Sequence, residues 1–177
     1  MMVTEKELHK SVVWLCMTAV FTAMNIALCF FSVPVPGGHL YLNDIVICTG
    51  AILMDPPAAF ILGGIGAFLG DFLSGYTVAM GVSLVSHGLQ ALAISLCVHR
   101  LFRHSRVKGA VTGTLAGAVI MVVGYTLGRA FVYSTPEYAV LKLPFECLQA
   151  GLGVVVSLLL CLRYRLPEIF EQIVGNG

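Results

Sequence analysis

Two apolar runs joined by one tight turn constrain this chain more than any other feature. The stretch from Gly37 to Tyr76, GGHLYLNDIVICTGAILMDPPAAFILGGIGAFLGDFLSGY, keeps its polar residues at its far ends and turns at Asp55, Pro56 and Pro57. Runs this long and this free of charge do not suit the exposed elements of a water-soluble protein. Folded as a hairpin across a bilayer, they return Asn43, Asp44, Asp71 and Tyr76 to one side.

The remainder has the same character. With 58% hydrophobic and 11% charged residues and a mean hydropathy of +0.93, too few polar residues exist to cover a soluble core, so the expected class is an all-α integral membrane protein. Val12 to Phe31 lacks a small-residue cleavage site and is followed by further apolar runs, which makes it a first anchor rather than a signal peptide. A net charge of +1, with no basic run interleaved with aromatics, sets nucleic acid aside as a partner. The six cysteines are scattered through apolar runs, so neither a disulfide framework nor a metal site is expected.

Six membrane spans are expected, at about 12–31, 41–55, 57–75, 79–99, 109–133 and 144–162, in a single membrane domain covering 1–177. The second is short for a crossing. Lys6, Lys10, Arg100, Arg103, Arg106, Lys108, Arg163 and Arg165 fall on the side of the termini, leaving only Arg129 and Lys142 elsewhere. The positive-inside rule therefore predicts both termini and the Asp55 turn in the cytoplasm. Among the outer connections, Ser32 to Tyr41 carries Pro34, Pro36, Gly37 and Gly38, which suits a loop able to fold over a site.

Polar groups converge on the outer side, where each is costly and hence a candidate for function. His39, Tyr41, Asn43 and Asp44 open the second span, Asp71 and Tyr76 close the third, and His87 and Gln90 lie in the fourth. Tyr125 and Arg129 are four apart on one face of the fifth, and Glu146 and Gln149 three apart at the start of the sixth. Such a set can hydrogen-bond a small polar heterocycle, with Tyr41, Phe72, Tyr76 or Tyr125 available to stack. Glu146, Arg129, Gln149, Asn43, Asp44, His87, Tyr125, Tyr41 and His39 are the expected substrate-binding residues. The alternative for Arg129 and Glu146 is mutual neutralisation, and for Asp71 a structural cap or ion pair is favoured.

No HExxH, GxSxG or phosphate loop of the GxxxxGK type occurs, so neither catalysis nor ATP hydrolysis is expected, and no cofactor is implied. Gly63, Gly66 and Gly70, and the glycines at 109, 113, 117, 124 and 128, read as close helix packing. Ala19, Ala23 and Ala27 stand four apart on one face of the first span, and spacing alone favours packing inside the bundle.

Taken together, the six spans, the alanine face, the HLYLNDIVICTGAILMDPPAAFILGGIGAFLGDFLSGY hairpin and the segments GYTLGRAFVY and LPFECLQAG resemble the substrate-binding S components of energy-coupling-factor (ECF) vitamin transporters. Within that family the likeness is nearest the riboflavin, hydroxymethylpyrimidine and pyridoxine branch. The resemblance implies a multi-pass protein of a prokaryotic plasma membrane whose Ala19, Ala23 and Ala27 dock on a transmembrane T protein attached to two ATPase subunits. It also implies an outer pocket for a water-soluble vitamin or precursor. Arg129 departs from the family pattern, which implies an acidic residue after the Gly-Tyr of the fifth helix, and His87 stands where a basic or neutral residue is usual. The expected substrate is a pyridoxine- or pyrimidine-like heterocycle. A queuine-type deazapurine is the alternative, and a non-transport membrane scaffold or enzyme is the alternative from another class.

Overall fold

The computed structural model describes residues 5–175. Helix α1 (Glu5–Cys29) leads into a β-hairpin of β1 (Ser32–Val35) and β2 (Gly38–Tyr41), then α2 (Asn43–Leu53). Four long helices follow: α3 (Pro56–Leu73), α4 (Met80–Leu101), α5 (Arg106–Tyr133) and α6 (Pro136–Arg163). A short α7 (Leu166–Gly175) ends the chain.

Among the described residues, five helices, beginning with His9–Cys29 of α1, are long and apolar enough to cross a membrane, whereas α2 has only 11 residues. The expected second span is therefore a shorter element, and its surroundings explain why the sequence is apolar all round. Nine of its 11 residues are buried, and it packs against α1, α4 and α6, occupying the middle of the bundle. Ile47, Cys48, Ala51 and Ile52 of α2 join Ala91, Ile94 and Val98 of α4 in the main core. A helix buried on every side needs no polar stripe.

The turn after α2 forms as its residues dictate. Asp55 has extended backbone ahead of Pro56 at the first helical position of α3, where a missing N–H costs nothing. Trp14 Nε1 donates to Asp55 Oδ1 at 2.6 Å, fastening the turn to α1. Glycines then let helices meet backbone to backbone: a Cβ on Gly63 would lie 2.7 Å from both Ala91 Cβ and the His87 carbonyl oxygen of α4.

Three differences from the sequence reading follow from local chemistry. The connection at 32–41 is a regular antiparallel hairpin, pairing Ser32 with Tyr41 and Val35 with Gly38. Pro36 followed by Gly37 at φ +81° has the residue order of a type II turn. The last long helix starts at Pro136, eight residues before the expected boundary, because Thr135 and Pro136 supply an N-terminus and Pro144 is accommodated inside the helix. Finally, α7 was not anticipated. Its Phe170 packs near Phe21 at a centroid distance of 6.5 Å, and Glu171 pairs with Arg106.

Candidate substrate-binding cavity

A cavity of about 280 Å³ opens at the end of the bundle where the hairpin lies. The hairpin contributes Gly38, His39 and Tyr41; α2 contributes Asn43, α3 Asp71 and α4 His87. Tyr125, Arg129 and Tyr133 come from α5, and Lys142, Glu146 and Gln149 from α6. The end of α5 widens into a π-turn over Arg129–Tyr133, an irregularity that often accompanies functional positions. Here it sets the Arg129 guanidinium 5.2 Å from the Tyr133 ring centroid.

Eight of the nine expected residues line this cavity: His39, Tyr41, Asn43, His87, Tyr125, Arg129, Glu146 and Gln149. The ninth, Asp44, lies behind the wall at 1% exposure. Its oxygens accept from Gln90 Nε2 at 2.7 Å and Gln149 Nε2 at 2.5 Å. Gln149 is itself committed, since its Oε1 accepts from the Tyr41 backbone N–H at 2.9 Å. Asp44 and Gln149 thus spend on each other and on the hairpin the acceptor capacity that the sequence suggested for a ligand. Phe72, a candidate for stacking, is 53% exposed and is not part of the lining, while Tyr76 is.

Arg129 and Glu146 meet at 3.2 Å, and Thr126 donates to the other carboxylate oxygen at 3.3 Å. The mutual neutralisation that the sequence offers as the alternative is thus present, and both partners also line the cavity. Arg129 Nη1 donates to the Gly37 carbonyl at 3.1 Å, yet its Nε is buried with no partner. Asp71 accepts from Ser83, which accepts from Tyr125 at 2.7 Å, and this chain holds the phenol against the edge of His87 at 5.1 Å. Asp71 lines the cavity, and its partner is the Ser83 hydroxyl of α4 rather than the cap or ion pair expected from the sequence. Burial pushes the Tyr41 hydroxyl above its ordinary range, reinforced by neighbouring Tyr76 and Asp71, so it faces the cavity as a neutral group.

Lys142 escaped the sequence reading. The expected spans leave it just ahead of the last one, but it is helical, 2% exposed, and its Nζ donates to the His39 carbonyl at 2.5 Å. The signal was present: Lys142, Glu146 and Gln149 are spaced by four and three residues and share a helix face once the helix begins at Pro136. Arg129 and Lys142 therefore hold the hairpin by two of its carbonyls. Replacing Lys142 with Met keeps most of the apolar stem and removes that anchor. Amide exchange across 32–41 is expected to accelerate by about tenfold, the equivalent of one charge-assisted hydrogen bond. Unchanged exchange would show that Lys142 does not restrain the hairpin.

Ala19, Ala23 and Ala27 are exposed along α1, with Leu15, Val20 and Met24 also open, so no other element among the described residues covers this face. The packing inside the bundle that spacing alone favoured does not occur there.

The comparisons with known proteins agree with this architecture. Residues 9–166 match the family model described as ECF-type riboflavin transporter, S component. The chain is 28% identical over 153 residues to the thiamine precursor transporter HmpT of Lactococcus lactis subsp. cremoris, covering 84% of this chain and 86% of that protein. A solved structure described as the S component of a bacterial ECF transporter superposes with a TM-score of 0.72 at 18% identity, over 90% of this chain and 98% of the other. That likeness concerns the fold. Family and relatives are transporter components rather than enzymes. A family match spanning nearly the whole chain, over a helical membrane bundle with a polar cavity under a hairpin, makes this protein a member of the ECF-type riboflavin transporter S-component family, a membrane component for transport of a vitamin or vitamin precursor.

Proposed function

We propose that the chain is the substrate-capturing subunit of an ECF-type importer of the ABC class. It would bind a single-ring, nitrogen-containing vitamin precursor at the outer face of a prokaryotic plasma membrane. The observation that carries this reading is the cavity itself. Polar and charged side chains from five helices and the hairpin gather at one end of a bundle of long apolar helices, an expense that a membrane protein sustains where a polar ligand binds. Its volume of about 280 Å³ lies at the small end of ligand sites, which favours one ring over a fused three-ring system. The similarity to a protein named as a thiamine precursor transporter supports the same direction.

In this reading both termini are cytoplasmic, and the open Ala19, Ala23 and Ala27 face receives the T protein, through which two ATPase subunits drive release. The chain supplies binding and its partners supply energy, as the lack of a phosphate loop suggests. The purified chain is accordingly expected to bind a pyrimidine- or pyridoxine-type compound without nucleotide, and to hydrolyse no ATP. Intrinsic ATPase activity, or binding that requires ATP, would oppose the assignment.

A further inference from the structure

Two buried hydrogen-bond relays determine what the cavity wall can offer a ligand. Asp44 does not touch the cavity, but a carboxylate only accepts, so Gln90 must turn its NH₂ toward Asp44 and its carbonyl oxygen away. That oxygen lies 2.7 Å from His87 Nδ1. An amide oxygen cannot donate, which puts the proton of this contact on Nδ1. In a neutral imidazole the other nitrogen is then an acceptor. His87 is 2% exposed and lines the cavity, so whatever it offers there is offered through Nε2.

The second relay runs through Asn25, which is fully buried. Asn25 Nδ2 donates to the Leu62 carbonyl at 2.7 Å, which turns its Oδ1 toward Asn43 Nδ2 at 3.2 Å. Asn43 is thereby held with its NH₂ toward Asn25, and its own Oδ1 is buried with no partner. Asn43 lines the same cavity, and a ligand donor reaches its Oδ1 by a small shift of the wall. A buried acceptor without a donor is a standing cost that a ligand can remove.

We propose that Asp44 and Asn25 are positioning residues that orient Gln90, His87 and Asn43 so that His87 and Asn43 present acceptors to the cavity. This arrangement selects a heterocycle that presents N–H donors, such as an exocyclic amino group, over the isosteric oxo compound. The selection rests on the reading of the cavity as a heterocycle site; the orientation of the relays does not. An oxo group set against His87 Nε2 and Asn43 Oδ1 would oppose lone pair to lone pair, and would leave both acceptors unpaired.

Nitrogen NMR of the full chain in detergent, labelled at histidine, reads the tautomer without any ligand. His87 is expected to carry a proton on Nδ1 and none on Nε2; a ring protonated on Nε2, alone or together with Nδ1, overturns the proposal. Titration with a hydroxymethyl aminopyrimidine and its oxo counterpart reads the selectivity. The amino compound is expected to bind at least about tenfold more tightly, and equal or reversed affinity overturns the selection. Asp44→Asn, whose amide can present either polarity, is expected to mix the His87 tautomers and draw that ratio toward one. An unchanged tautomer and ratio in this variant would remove Asp44 from the relay. If the variant does not fold, the wild-type tautomer and ratio decide the matter. If the tautomer is as expected and neither pyrimidine binds, the heterocycle reading fails while the relay stands.

Discussion

Arg129→Ala and Glu146→Gln are each expected to weaken ligand binding by about 1–3 kcal/mol, a factor of roughly five to more than one hundred, and to lower thermal stability as well. Both effects follow from the position of the pair, since Glu146 is 3% exposed, Arg129 is 14% exposed in its side chain, and both face the cavity. Removing one partner of a buried ion pair leaves an uncompensated charge, a loss of about 3 kcal/mol in well-buried cases. Arg129→Ala also frees the Gly37 carbonyl and the face of Tyr133. The double variant separates the two roles. Without either charge, much of the stability should return, whereas affinity should not, because the groups that would meet the ligand are gone. Calorimetric titration beside a melting curve for the singles and the double checks this. Affinity that recovers together with stability would make the pair a structural strut and take it out of the binding site.

Ala19→Trp and Ala23→Trp are expected to abolish assembly with the T protein, and with it uptake, while ligand affinity stays within about a factor of two. Both residues are exposed on α1, and neither lines the cavity. Within the isolated chain an indole at these positions meets no neighbouring element, so folding should be retained. At a helix–helix contact built on small residues, the same indole prevents the close approach from which the contact gains its packing energy. Co-purification with the T protein measures assembly, and titration of the isolated variant measures binding. Normal uptake by either variant would place the docking surface elsewhere.

How much of this was legible beforehand depended on whether the signal was local. The membrane class, the Asp55 turn and the converging polar residues could be read because apolar run length and the turn chemistry of Asp-Pro-Pro are properties of short segments. The nature of α2 could not, because a short, mostly apolar run reads the same way whether lipid or other helices surround it. The roles of Asp44 and Gln149 were hidden for a related reason. Sequence shows which groups can accept, but not that Gln90, Gln149 and Asp44 satisfy one another before any ligand arrives. Lys142 was missed through a boundary error: a helix begun at Pro144 leaves it in a loop, and one begun at Pro136 sets it beside Glu146. The exposure of Ala19, Ala23 and Ala27 was likewise beyond spacing, which marks a face for close approach without saying what approaches.

The central claim, that this cavity holds a small vitamin precursor, is tested most directly by mass spectrometry of the intact protein released gently from detergent, together with the small molecules extracted from it. The expected result is one equivalent of a single-ring nitrogen heterocycle, lost from the Arg129→Ala, Glu146→Gln double variant and retained in Ala19→Trp. A protein that carries only lipid, and takes up no pyrimidine- or pyridoxine-type compound when these are supplied, would contradict it.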